Sequence, residues 1–146
     1  MAYETHPTLG ETLIAGADLS TKRNHLVKIS SANDATKGRL VLAGAGDLCF
    51  PLTNAPANGD AGSVKWGGIA TVICGGAITA GNQLAADASG QAKVAVAARV
   101  NTSDAGAAVD PGIGSYVFGV ALEDGIQNQI ISVLMLNAGL VATTAA

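Results

Sequence analysis

Short runs with a period of two, each cut off by a turn signal, leave this chain few folds to choose from. In AKVAVAARV, Val94, Val96 and Val100 share one face with Ala98, and Lys93 and Arg99 lie on the other. In SYVFGVAL, Tyr116, Phe118, Val120 and Leu122 alternate with Val117, Gly119 and Ala121. Successive side chains of a strand point to opposite faces, so this spacing marks half-buried strands. QIISVLML is apolar at both parities and predicts a strand covered on both sides. HLVKIS, GRLVLAG and VKWGGIATVIC complete the strand candidates. Turn signals separate them: ANDATKG, NAPANGDAGS, EDG, and DASG (Asp87 to Gly90), where Asp suits the first turn position and Gly accepts positive φ. GG at Gly75 and Gly76 breaks or bulges a strand. No window keeps a 3.6 period over three turns. The expectation is an all-β single domain, a small barrel or sandwich with at most short helices.

A chain of 146 residues fits one domain. The predicted organisation is an extended N-terminal arm over 1–19, a single β domain over 20–137 and a C-terminal tail over 138–146. The segment from Val100 to Ser115 reads as a long loop of small residues, a length that is often functional or mobile. The apolar fraction of 49% comes mostly from small side chains, with 28 Ala and 19 Gly against five aromatics. Each buries little area, at ~25 cal/mol per Å². Association with further copies or a partner is therefore expected.

Several function classes find no support. Trp66 to Ala86 is 21 residues without a charge, long enough for a membrane span. It holds five glycines plus Asn82 and Gln83 and lacks a basic flank, so no membrane partner is expected. The net charge is −3, and the densest basic stretch, TKRNHLVK with Lys22, Arg23, His25 and Lys28, has no interleaved aromatics; no nucleic-acid partner is expected. GAGDLC and GGAITAGNQ fail the dinucleotide and P-loop templates. His6, His25, Cys49 and Cys74 lack metal-ligand spacing, so neither metal nor cofactor is expected. A Cys49–His25 nucleophile pair is allowed by spacing, but apolar-flanked cysteines are more often core residues. Glu123-Asp124 before Gly125 reads as a turn. MAYETHPTLGETL has neither the basic start nor the apolar stretch of a secretory signal, which points to the cytosol. No enzymatic constellation emerges, and the chain is read as a non-enzyme.

The order of the segments carries more than any one of them. LIAGADLSTKRNHLVKIS leads to GRLVLAG and then to FPLTNAPANGDAGSVKWGGIATVICGGAITAGNQLAADASGQAKV. GSYVFGVALEDGIQNQIISVLML closes the chain's patterned part. This order resembles the capsid decoration, or cement, proteins of tailed bacteriophages. The likeness runs from about Leu13 to Leu136 and rests on Gly68, Ala70, Val72, Gly75 to Ile78, Ala80, Gly81, Leu84, Asp87, Gly90 and Ala92, followed by Gly119 to Glu123.

The resemblance implies a small β-barrel or β-tulip-like domain on the outside of an expanded phage head, which it stabilises. It implies a trimer, with the major capsid protein of the same phage as partner and synthesis in the host cytoplasm. It also implies that the arm orders on the shell. Tyr3, His6, Pro7, Leu9, Leu13 and Ile14 are then the capsid-contact candidates. Trp66 is a candidate at a subunit interface, where Trp is enriched, or in the core. Two other readings stand beside this one: a tail, baseplate or receptor-binding module of a phage particle, and a small enzyme using Cys49 or Cys74.

Overall fold

The structure is a computed structural model, and it describes residues 10–31, 37–95 and 115–140. Its strands are β1 (Gly10–Ile14), β2 (Leu26–Ser30), β3 (Arg39–Leu42), β4 (Phe50–Pro51), β5 (Ala61–Lys65), β6 (Ile69–Ile73), β7 (Gln83–Ala86), β8 (Ala92–Val94), β9 (Tyr116–Ala121) and β10 (Ile130–Leu140). All ladders are antiparallel, and the described residues contain no helix. The protein is all-β.

The strands form two five-stranded circuits in chain order. In the first, β1 pairs β5, and β2 lies between β3 and β4. Isolated bridges join β4 to β5 at Leu52–Val64 and β3 to β1 at Ala15–Leu40. In the second, a continuous sheet runs β6-β10-β9-β7-β8, and its edges touch at the Cys74–Ala92 bridge. Neither circuit is a barrel closed by ladders at every seam: the second is a curled sheet whose last seam is one bridge, and the first is a two-stranded and a three-stranded sheet joined by two single bridges.

The two circuits repeat one another. The first follows β1-β5-β4-β2-β3, and the second follows β6-β10-β9-β7-β8 in the same relative order and the same directions. Each closes through a parallel bridge one residue past its first strand, followed by a glycine: Gly16 N–H donates to Leu40 C=O at 2.7 Å, and Gly75 N–H to Ala92 C=O at 2.8 Å. The connections match as well. Ala15 N–H donates to Asp60 C=O and Cys74 N–H to Gln129 C=O, both at 2.8 Å. Gly59 N–H donates to Ala15 C=O and Asn128 N–H to Cys74 C=O, and both donors have positive φ, 90° and 67°. Leu19 N–H donates to Pro56 C=O, and Ile78 N–H to Gly125 C=O. The chain is an internal structural duplication, with a first module over β1 to β5 and a second over β6 to β10.

The cores obey the same mapping. One buried cluster comprises Ala15, Leu19, Val27, Leu40, Leu52 and Val64. Its counterparts Cys74, Ile78, Leu84, Ala92, Ala121 and Val133 all lie in the other cluster. That second cluster also takes in Leu26, Ala43 and Cys49 from the first module, packed with Phe118. The second module's cluster thus extends across the boundary into the first, which also keeps a cluster of its own.

Several sequence-based boundaries shift. VKWGGIATVIC is not one strand: it breaks between Lys65 and Ile69, at Trp66-Gly67-Gly68, where Gly68 has φ +72°. QIISVLML is not covered on both sides, since Ile131 and Val133 are buried while Ile130 and Leu134 are exposed. Gly10 to Leu19 is not an arm: β1 is paired from Gly10–Lys65 to Ile14–Ala61, and Ala15 and Leu19 are core residues. Strand β10 extends through Leu140, past the predicted start of the tail. The Val100 to Ser115 loop, apart from Ser115, and Val96 to Val100 lie outside the described residues.

Candidate functional site

The structure distributes the predicted contact residues differently from the sequence reading. Tyr3, His6, Pro7 and Leu9 lie outside the described residues. Leu13 is partly buried against the first module's core. Ile14 ends β1 and is 42% exposed. Trp66 follows β5 and is 41% exposed, so it stands at the surface and is absent from both core clusters.

The groups considered for catalysis are held in structural roles. Cys49 and Cys74 are free and buried. Burial, and then the negative charge of Asp47, push the Cys49 thiol up to about 12. Burial, and then Glu123, raise Cys74 as well. A thiol is nucleophilic as its thiolate, and the raised values disfavour that form at neutral pH. The adjacent acids staple a turn: Ser132 N–H donates to Glu123 Oε1 at 2.6 Å, and Ala80 N–H to Asp124 Oδ1 at 2.8 Å. Asp87 Oδ1 accepts from Ser89 and Gln91 N–H and shapes the β7–β8 hairpin. The basic stretch forms a turn leading into β2, with Lys22 N–H bonded to Leu19 C=O and His25 N–H to Lys22 C=O. Among the described residues, no group of three or more His, Cys, Asp or Glu is placed to hold a metal ion. Nor, among the described residues, is any helix long and apolar enough to cross a membrane.

What the molecule offers instead is two apolar surfaces. The first lies on the outward face of the second module. Ile130 and Leu134 project from β10, opposite Ile73 and Ile69 of β6, and both are exposed. Leu122, whose N–H donates to Ser132 C=O, flanks them, and Ile126 in the turn before β10 is 68% exposed. Comparison of the modules shows that the fold does not require three of its four side chains to be apolar; the counterpart of the fourth, Leu134, is the buried Lys65. The counterparts of Leu122, Ile126 and Ile130 are Thr53, Ala57 and Ala61, which are equally exposed and support the same turn and strand. Exposed apolar side chains that the fold does not need mark a contact surface.

The second surface is a shallow concavity of about 250 Å³ on the first module, lined by Lys28, Ile29, Asp47, Leu48 and Phe50. Lys28 Nζ donates to Asp47 Oδ2 at 2.7 Å, and Gly44 N–H donates to the same oxygen at 2.8 Å. These two bonds, the lysine first, hold the Asp47 carboxyl below its ordinary range. Ile29 and Leu48 border the pair and are 51% and 52% exposed. Apolar walls around one neutralised ion pair suit the docking of a protein surface better than a charged small molecule. The sequence reading named neither surface. For the first, the signal lies in the apolar outward parity of β10, which in sequence reads as a strand covered on both sides.

Comparison with known proteins gives one kind of support. No family model matches the chain, and no curated protein matches it. Among solved structures, the chain is similar to the N base of head fiber gp8.5 in bacteriophage phi29. The superposition has a TM-score of 0.59 at 19% sequence identity and covers 90% of this chain and 96% of that one. The two chains share a fold over nearly their whole lengths.

Proposed function

We propose that this chain is a structural protein of a phage particle, carried on the outside of the head, where it binds the major capsid protein and stabilises the expanded shell. The observation that carries this reading is the shared fold with the phi29 head fiber base, extending across 90% of the chain. It coincides with the resemblance to decoration proteins in the order of the sequence segments. The role is mechanical, with no catalysis and no cofactor, and the protein acts as a trimer. Weak contacts per subunit then add through multivalency.

The Leu122–Ile126–Ile130–Leu134 strip is the surface we assign to the shell.

Co-sedimentation with undecorated shells, before and after expansion, tests the role. Saturable binding to expanded shells is expected, with Ile126→Asp and Ile130→Asp each weakening it about tenfold or more. Absence of wild-type binding to either shell would sink the role. Wild-type affinity in both variants would remove the strip from it. The similarity to a fiber base favours a second reading, in which the domain seats a projecting fiber on the head; electron microscopy of decorated shells separates a low knob from a projection.

A further inference from the structure

The contact that joins the two modules within the chain has an open counterpart on the chain's own surface. Inside the chain, the first module offers Asn24, Leu26 and Gly46, and the second module receives them. Asn24 C=O accepts from Ile73 N–H at 2.9 Å, and Asn24 Oδ1 accepts from Thr71 Oγ1 at 3.0 Å. Leu26 N–H donates to Gly90 C=O at 2.6 Å. Gly46 N–H donates to Ala86 C=O at 2.9 Å, and Gly46 C=O accepts from Tyr116 N–H at 3.1 Å.

The duplication maps the receiving side onto the first module. Of the receiving residues, Ile73, Ala86 and Tyr116 correspond to Ile14, Ile29 and Asp47, and Val117, next to Tyr116, corresponds to Leu48. Ala86 and Val117 are fully buried and Ile73 is half-buried, yet their three counterparts are all exposed. Ile29 and Leu48 are also walls of the concavity beside the Lys28–Asp47 pair. The first module therefore carries the receiving face in apolar and open form. On the offering side of the second module, Gly81 and Gln83, the counterparts of Asn24 and Leu26, are exposed, whereas Ser115, the counterpart of Gly46, is buried.

We propose that the Ile14–Ile29–Leu48 face receives the second module of another copy of this chain, repeating between copies the contact that joins modules within one. Continuity with the internal interface selects this occupant: the equivalent face of the second module already receives a module of the same fold, although here Asp47 N–H, the counterpart of Tyr116 N–H, is bonded to Gly44 C=O. The contact is head-to-tail, so it closes into a ring when the rotation per copy divides a full turn. In a trimer it strings the modules of three chains into one cycle. Gln83 in place of Leu26 makes the contact between copies more polar than the internal one, and hence weaker and reversible. The inference rests on the self-association in the proposed role and not on shell binding.

Sedimentation equilibrium of the full chain, with and without Ile29→Asp and Leu48→Asp, tests it. The wild type is expected to associate and each variant to weaken association about tenfold or more while keeping the wild-type circular dichroism. Ile29→Cys and Gln83→Cys, prepared separately and mixed under mild oxidation, should form a disulfide-linked pair that neither forms alone. The native thiols are buried and do not compete. A monomeric wild type, variants that associate as well as wild type, or homotypic cross-linking of either single variant overturns the contact. Shell co-sedimentation of the same wild-type sample reads the proposed role separately, so a monomer that still binds shells overturns only the contact.

Discussion

Asn24 adopts φ +63°, and its counterpart in the second module, Gly81, adopts φ +89°. The left-handed region costs a side-chain-bearing residue ~1–2 kcal/mol, although Asn tolerates it better than most. Glycine solves the problem in one module, and asparagine solves it in the other. Asparagine adds something glycine cannot, because its Oδ1 accepts from Thr71 Oγ1 across the module boundary at 3.0 Å. Asn24→Ala loses that bond and pays the backbone strain, for an expected cost of about 2 kcal/mol. Asn24→Gly loses the bond but not the conformational fit, and should cost about 1 kcal/mol or less. Urea midpoints at constant slope check the order. Equal losses in the two variants would mean that the backbone conformation contributes nothing. The reverse exchange occurs at Gly59 and Asn128, where φ is +90° and +67°.

The turns before β5 and β10 show how one element is built twice with different chemistry. Asn54 Oδ1 accepts from Ser63 N–H at 2.9 Å, and Glu123 Oε1 accepts from Ser132 N–H at 2.6 Å. Only the second staple can titrate. The Ser132 backbone and side-chain bonds hold the Glu123 carboxyl below its ordinary 4.5. A lowered folded value means that the contribution is complete above the ordinary value and is lost as pH falls through the folded one. Acidification from about pH 5 to about pH 3 should therefore raise hydrogen exchange at Ser132 relative to Ser63, after correction for intrinsic rates. Glu123→Gln keeps an accepting oxygen and should abolish the difference. Parallel behaviour of the two amides in the wild type would disprove the staple. At this scale the sequence was largely readable. β2, β3 and β9 fall within HLVKIS, GRLVLAG and SYVFGVAL because turn residues bound each run, and DASG forms the β7–β8 hairpin as read. β10 was misread because an apolar residue on a strand's outer parity looks the same in sequence whether another sheet or another protein covers it. VKWGGIATVIC was misread because the glycine pair at Gly67 and Gly68 ends one module and starts the next.

The duplication itself was hidden at the level of sequence, although TLIAG (Thr12 to Gly16) and TVICG (Thr71 to Gly75) preserve its most constrained corner. The glycine in each follows the bridging residue and carries the N–H that closes the circuit. Elsewhere the modules keep burial and backbone bonding but not residue identity. Val27 answers to Leu84 and Leu52 to Ala121, and loops of unequal length break the register. The arrangement has a consequence for unfolding. Leu26, Ala43 and Cys49 of the first module pack in the second module's core, so neither module buries its apolar surface alone. Leu26→Ala at that junction and Leu52→Ala inside the first module both empty a fully buried site. Each should cost ~2–5 kcal/mol and lower a single calorimetric transition by about 10 °C. If the modules were independent, Leu52→Ala would split the endotherm, melting the first module early and leaving the second at the wild-type temperature. One undivided transition in both variants, with matching calorimetric and van't Hoff enthalpies, identifies the pair as a single cooperative body. That rigidity matters for the proposed ring: a contact repeated between copies can close reproducibly only if the angle between modules within each copy is fixed.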